Sequence, residues 1–312
     1  MTKKVATREA YGQALLELGE KNKNVVVLDA DLSKSTKTAG FGKEYPERFF
    51  NVGIAEQNLI GTAVGLATTG KIPFASTFAM FATGRAFEII RNSVAYPKVN
   101  VKIAATHAGL TVGEDGASHQ ALEDISIMRS IPNMVVINPA DAIEAKAAII
   151  KMAEYEGPAY IRLGRSKVPV IYDESNYKFE LGKGKTLKEG NDVAIIASGI
   201  TVSMAIEASE ILKEQGIDAR VIDIHTIKPI DKEIIIKAAK ETGAIVTAEE
   251  HNIIGGLGSA VAEVIVENSP VPMARVGVND TFGESGNGEE LLKKYQITAD
   301  AIVEKAKKIN NK

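Results

Sequence analysis

Glu56 is the one ionisable side chain in FFNVGIAEQNLIGTAVGLATTG, the apolar stretch between Arg48 and Lys71. Two roles are open to a lone carboxylate there. In the first turn of a helix it offsets the positive end of the dipole, worth about 0.3–1 kcal/mol. Held in a dry cleft, it has its pKa raised by desolvation and can share a proton with a ligand. A second concentration of reactive groups is THAGLTVGEDGASHQ, where His107, Asp115 and His119 stand among Gly109, Gly113 and Gly116. The glycines free the backbone to approach a ligand. Imidazole and carboxylate suit hydrogen bonding to a polyhydroxylated or phosphorylated substrate; the histidines form no i, i+4 pair, and a flexible loop is a poor metal cage. A glycine turn with surface histidines is the plainer alternative. Phe78 and Phe81, in STFAMFATGRAFEII, stand three apart at helical spacing in a chain that is 5% aromatic. They suit either a core or a stacking platform for a flat heterocycle. Arg8, Ser35 and Arg165 fall at predicted element ends, where a guanidinium fork and a hydroxyl can grip phosphate or simply face solvent.

Positioning these residues falls to alternating strands and helices. Short apolar, β-branched runs at 25–28, 72–75, 101–105, 134–137 and 159–162 alternate with helical patterns, as in a parallel sheet with covering helices. REAYGQALLELGEK places Tyr11, Ala14, Leu15 and Leu18 on one face, and a helix over about 55–69 presents Leu59, Ala63, Leu66 and Ala67. After Arg165 a mixed, charged stretch without sustained periodicity reads as a linker over 166–189. A second α/β pattern follows, with strands at 193–198, 219–224, 244–249 and 273–278 and helices at 203–215, 232–240 and 258–267. Two doubly wound α/β domains are expected, over 1–165 and 190–312. GGLGSA, 255–260, lacks nucleotide-motif spacing and suits a tight strand-to-helix turn. In open parallel sheets ligands sit beyond the carboxyl ends of the strands. The loops after VVVL, VKIAA and AYIR therefore gather the polar residues at one edge.

Composition narrows the chemistry. At 312 residues with 45% hydrophobic and 25% charged side chains, both domains can build sizeable cores. A net charge of −3 gives no reason to expect nucleic acid or an acidic membrane as partner. The absence of cysteine excludes disulfides, zinc–thiolate sites and cysteine nucleophiles. Without a signal-like start or a membrane-length apolar run, a cytoplasmic protein is expected.

Taken in order, NVGIAEQN, STFAMF, THAGLTVGEDGASHQ, IPNMVVINPAD and LGRS resemble the pyrimidine-binding domain of the transketolase family; IDIHTIKPID and AEEHNIIGGLGSAV resemble its C-terminal domain. That resemblance implies a two-chain transketolase of which this is the C-terminal subunit. An N-terminal subunit would bind the diphosphate of a shared thiamine diphosphate and its Mg2+ or Ca2+. It implies that Glu56 hydrogen-bonds N1′ of the aminopyrimidine, that Phe81 stacks on it with Phe78 close by, and that Asp31 lines the cofactor cleft. His107, Asp115 and His119 would contact sugar hydroxyls and the reacting centre, with His107 and His119 catalytic beside Glu56. Arg8, Ser35 and Arg165 would reach the far phosphate. The implied reaction moves a glycolaldehyde unit from a ketose phosphate to an aldose phosphate, in a complex with a dimeric core of this chain and two partners, a heterotetramer. Glu114-Asp115-Gly116 before Asn138 imitates the family's magnesium motif, but position 114 is not glycine and Asn138 closes a strand, so no metal is expected here. Where many full-length members carry tyrosine after the Phe pair, this chain has Gly84. Related alternatives are 1-deoxyxylulose-5-phosphate synthase and 2-oxo acid dehydrogenase beta subunits, which usually lack the GEDGxSHQ pattern. A non-catalytic regulatory α/β protein is the alternative of another class.

Overall fold

Alternation along a strand decides which neighbours each side chain meets. In the strand Val25–Asp29, Val25 and Val27 pack with Tyr11 and Leu15 of the helix Thr7–Lys21 and with Ile149 of the helix Ala142–Glu154. Val26 and Leu28 point the other way, toward Leu59, Ile60 and Ala63 of the helix Glu56–Thr68. Leu66 and Ala67 are only partly buried but pack against the same cluster. The sheet is thus covered on both faces. The computed structural model describes residues 3–310.

Seven strands form this first sheet, in the order Thr226–Lys228, Val135–Ile137, Ala159–Arg162, Lys102–Thr106, Ile72–Phe78, Val25–Asp29 and Phe49–Asn51. All neighbours run parallel except Thr226–Lys228, which lies antiparallel to Val135–Ile137 and comes from the second half of the chain. A five-stranded sheet follows the order Met273–Val278, Ile245–Asn252, Val193–Ala197, Ala219–Asp223 and Lys185–Lys188, with only the last strand antiparallel. The helices Thr201–Glu214 and Ala299–Ile309 cover one face of it. On the other face Ile222, Ile224, Leu257 and Val261 belong to the same hydrophobic cluster as Leu59 and Ile90, so one continuous core runs through both sheets.

Two features differ from the sequence reading. The strand expected at 72–75 continues to Phe78, because Ser76, Thr77 and Phe78 pair in register with Ala104, Ala105 and Thr106. Phe78 therefore ends a strand and Phe81 opens the following helical turn, rather than both riding one helix. The stretch 166–189 contains two strands: Lys167–Pro169, antiparallel to Lys4–Ala6, and Lys185–Lys188. Both are short and lysine-flanked, with too few alternating positions to register as periodic. Among the described residues no helix is long and apolar enough to cross a membrane.

Candidate active site

The parallel strands of the first sheet deliver their loops to one edge. Glu56 opens the helix Glu56–Thr68 and is 1% exposed. A carboxylate so far from water needs a partner. Arg85 supplies it: Nη1 donates to Glu56 Oε2 at 2.7 Å, while the Arg85 side chain is itself half-exposed. Arg85 ends a π-helical segment, Phe81–Arg85, and its guanidinium carbon lies over the Phe81 ring, 4.8 Å from the centroid. Phe81 stacks with Phe78 at 6.0 Å and an interplanar angle of 16°. His119 meets the Phe81 ring edge-on at 5.3 Å. Phe78 in turn stacks on His107 at 3.9 Å. Glu56, both phenylalanines and both histidines are thereby linked by direct contacts through Arg85.

His107 follows the strand Lys102–Thr106 with a positive φ of 57°, a conformation that non-glycine residues adopt under constraint. Burial, reinforced by the charges of Arg8 and Arg165, holds its imidazole down to about 3. It is accordingly neutral at pH 7. Arg8 Nη1 lies 3.1 Å from His107 Nε2 and Thr106 Oγ1 lies 2.9 Å from Nδ1. Because guanidinium only donates, Nε2 is the acceptor and Nδ1 carries the hydrogen, donated to the threonine. His119 is partly exposed, its Nδ1 2.9 Å from Ser118 Oγ. Asp115, on the same loop, is exposed.

Arg8 Nη1 also donates to the carbonyl oxygen of Ser35 at 3.0 Å, so Ser35 meets Arg8 through its backbone rather than its hydroxyl. The buried Arg8 Nε has no partner. Burial lowers the Arg8 pKa, and nearby Arg165 adds to this. Arg165 donates to the Val112 carbonyl and, at 2.8 Å, to Glu114. Arg8, Arg165, Lys4 and Lys167 line one cavity of about 640 Å³, with Ile200 and Ser203 of the second half on its wall. Asp31 sits apart from these groups, exposed, exchanging hydrogen bonds with Asn51 at 3.0 and 3.1 Å. Its neighbour Asp29 is the buried one, accepting from Thr36 and Thr38. Asn138 is buried and donates to Ser198. Among the described residues no cluster of three or more His, Asp or Glu is arranged to hold a metal.

Three residues that shape the site went without a role in the sequence reading. Arg85 stands four positions after Phe81, and that helical spacing is the local signal for it. Glu250 and Arg162 gave no local signal, since their partners are distant in sequence. Glu250 Oε1 accepts from the Thr111 N–H at 2.6 Å, and Gly109, at φ 84°, passes so close that an added Cβ would lie 2.3 Å from the Glu250 carboxyl carbon. Arg162 forms a buried ion pair with Asp124 at 2.9 Å and donates to the carbonyls of Ala121 and Glu250. The helix Gly288–Lys294 packs on the 110–115 turn, and Gln120 Nε2 donates to Glu284 O at 2.9 Å. The second half of the chain thus braces the loop that carries His107 and His119.

This arrangement brings a buried carboxylate, a stacked aromatic pair, two histidines and an arginine-lined cavity to one sheet edge. Residues 3–170 match the family model of the transketolase pyrimidine-binding domain, and residues 182–302 that of the transketolase C-terminal domain. The chain is 59% identical to a protein named as a transketolase C-terminal section from Methanocaldococcus jannaschii, over 96% of this chain and 94% of that one. It is 45% identical to the 6-deoxy-6-sulfo-D-fructose transketolase subunit SqwH of a Clostridium species, over 98% and 94%. A solved structure described as a split gene transketolase, inactive beta4 tetramer, superposes with a TM-score of 0.92 at 61% identity, each chain covered to 98%. The chain belongs to the transketolase family and corresponds to the C-terminal section, pyrimidine-binding domain followed by C-terminal domain, of its split members.

Proposed function

We propose that this chain is the C-terminal subunit of a thiamine-diphosphate-dependent transketolase, moving a two-carbon glycolaldehyde unit from a ketose phosphate to an aldose phosphate together with an N-terminal subunit. The observation that carries this reading is the buried Glu56 carboxylate, bonded to the guanidinium that lies over Phe81, with His107 stacked on Phe78 and His119 edge-on to Phe81. The groups fit an aminopyrimidine: the guanidinium over Phe81 marks a face that accepts a flat cation, and a carboxylate within reach suits a ring nitrogen bearing a proton. Thiamine diphosphate, when bound, supplies the nucleophilic carbon and electron sink that side chains lack.

The chain's own residues then have separable tasks. Glu56 holds a proton on its hydrogen bond to N1′, in surroundings that exclude water. Neutral His107 and the more exposed His119 face the sugar hydroxyls and the reacting centre, with Asp115 on the same loop. Arg8 and Arg165 bind the terminal phosphate in the cavity they line, where phosphate takes the place of Glu114 on Arg165, with Ser35 beside Arg8. Anchoring that remote group positions the bond to be cleaved, which raises the rate as well as the affinity. Asp31, held by Asn51 apart from these groups, lines the cofactor cleft in this reading. The Mg2+ or Ca2+ and the diphosphate belong to the N-terminal subunit, and Ile54, 77% exposed two positions before Glu56, suits a surface covered by another subunit. The reading includes domains over 1–165 and 190–312, a heterotetramer with a dimeric core, and a cytoplasmic setting.

The test is to combine the chain with an N-terminal transketolase subunit, thiamine diphosphate and Mg2+, and to follow transfer from xylulose 5-phosphate to ribose 5-phosphate. Transfer is expected only from the combination. Activity of this chain alone would sink the two-subunit reading, and transfer from pyruvate would favour a synthase or dehydrogenase. A second reading is a terminal sulfonate in place of phosphate, since the Clostridium relative is named for 6-deoxy-6-sulfo-D-fructose. Faster turnover of a sulfosugar than of xylulose 5-phosphate would select it.

A further inference from the structure

Arg85 makes two contacts at once, and they are the two that the proposed function asks of the aminopyrimidine. Its guanidinium lies over the face of Phe81, 4.8 Å from the ring centroid, and its Nη1 donates to Glu56 Oε2 at 2.7 Å. Guanidinium is planar, delocalised and edged with N–H donors, the same attributes as a protonated nitrogen heterocycle. The separation from Phe81 is that of a stacked pair, which leaves no room for a second ring between them. Glu56 is 1% exposed, and without a donor its carboxylate would be buried unpaired. Arg85 is half-exposed, so its outer part remains in water and its release requires no unfolding.

We propose that Arg85 is a placeholder for the pyrimidine: in the cofactor-free chain it occupies the stacking position on Phe81 and satisfies Glu56, and cofactor binding displaces it into solvent. The inference rests on the thiamine diphosphate reading of the site. It makes the Arg85–Glu56 pair and the Glu56–pyrimidine bond mutually exclusive, so Arg85 weakens cofactor binding while protecting the empty cleft. Phe81 and Arg85 open and close the π-helical segment Phe81–Arg85, four residues apart, a spacing that brings two side chains of a helical turn into reach of each other.

The experiment titrates thiamine diphosphate calorimetrically into the assembled two-subunit complex at fixed Mg2+, comparing wild type with Arg85→Met and Arg85→Lys. Breaking a half-exposed ion pair corresponds to a fall in Kd of about two- to five-fold for Arg85→Met. Arg85→Lys, which keeps the charge without the planar fork, is expected between the two. In thermal melting, Arg85→Met is expected to lower the Tm of the cofactor-free protein and to lose that deficit when cofactor saturates the site. A Kd unchanged or raised in both variants, with the melting deficit persisting in the cofactor-bound state, overturns this inference alone. A wild-type complex that binds no thiamine diphosphate overturns the functional reading, and this inference with it.

Discussion

Gly109→Ala tests how firmly the second half of the chain fixes the active-site loop. Gly109 has φ 84° and ψ −178°, a region that is in practice reserved for glycine. A Cβ there would lie 2.3 Å from the Glu250 carboxyl carbon and 2.4 and 2.5 Å from its oxygens. Glu250 cannot simply swing away, because its carboxylate is 4% exposed and accepts from the Thr111 N–H at 2.6 Å. The backbone strain costs about 1–3 kcal/mol. Displacing the carboxylate forfeits a charge-assisted hydrogen bond, about 1.5–3 kcal/mol. A loss near 4 kcal/mol is therefore expected, large against a typical domain stability of ~5–15 kcal/mol. The protein can limit it by letting the 107–120 loop shift, which moves His107 and His119. Urea unfolding reads the first outcome, and the KM for ketose phosphate with limited proteolysis of the loop reads the second. A double-mutant cycle separates the causes: with Glu250→Ala already present the clash is gone, and Gly109→Ala should cost only the ~1–3 kcal/mol of backbone strain. A Gly109→Ala variant with wild-type stability, KM and protease resistance would refute the argument. So would a cost that is the same whether or not Glu250 is present.

Three further outcomes are expected. Glu56→Gln should fold and assemble normally yet lose ~10²–10⁴-fold in transfer rate, as for loss of a positioned proton carrier, whereas unchanged activity with the partner would favour a non-catalytic role. Arg165→Met should raise KM for the phosphorylated donor ~10- to 100-fold, the worth of charge-assisted hydrogen bonds, while barely affecting a donor that lacks the phosphate; equal losses on both would remove Arg165 from phosphate binding. Burial pushes the Asp223 carboxyl up to about 7 and the Glu249 carboxyl to about 7, while burial pulls the His225 and His251 imidazoles down to about 4. The raised acids bind more protons when folded, so their contribution is lost as pH rises from about 4 to 7; the depressed histidines are neutral when folded, so theirs is lost as pH falls from about 6.5 to about 4. Glu249→Gln should accordingly gain on the wild type by about 1 kcal/mol or more between pH 5 and pH 8, measured by urea unfolding, and a pH-independent difference would contradict the assignment.

Glu56 and the histidine loop were legible because their signals are local. An isolated charge in an apolar stretch and a glycine-rich run of imidazoles stand out in a few residues, and the strand-helix alternation placed them at one edge. Asp31 illustrates the limit: the sequence DAD offers two acids at one strand end, and only tertiary packing decides that Asp29 is buried while Asp31 faces Asn51. Phe78 and Phe81 do stack, but across a strand end and a helix start, because pairing with Ala104–Thr106 outweighs the helical spacing. The bracing groups were invisible for a simpler reason. Thr111 meets Glu250, and Arg162 meets both Asp124 and the Glu250 carbonyl, across separations that no window of sequence spans. Short edge strands such as Lys185–Lys188 and Thr226–Lys228 carry three or four residues each, too few for alternation to register.

The strand Thr226–Lys228 has a consequence for how such a protein can be cut and recombined. It belongs by sequence to the second half, yet it hydrogen-bonds to Val135–Ile137 as the outer strand of the first sheet. A truncated chain ending near residue 190 would leave the backbone of Val135–Ile137 bare along one side, an invitation to pair with another molecule. It would also expose the apolar face that Ile222, Leu257 and Val261 now cover. The two halves are therefore not exchangeable modules: any recombinant that replaces the second must bring its own strand to close that edge, or it will aggregate before it can be tested for activity.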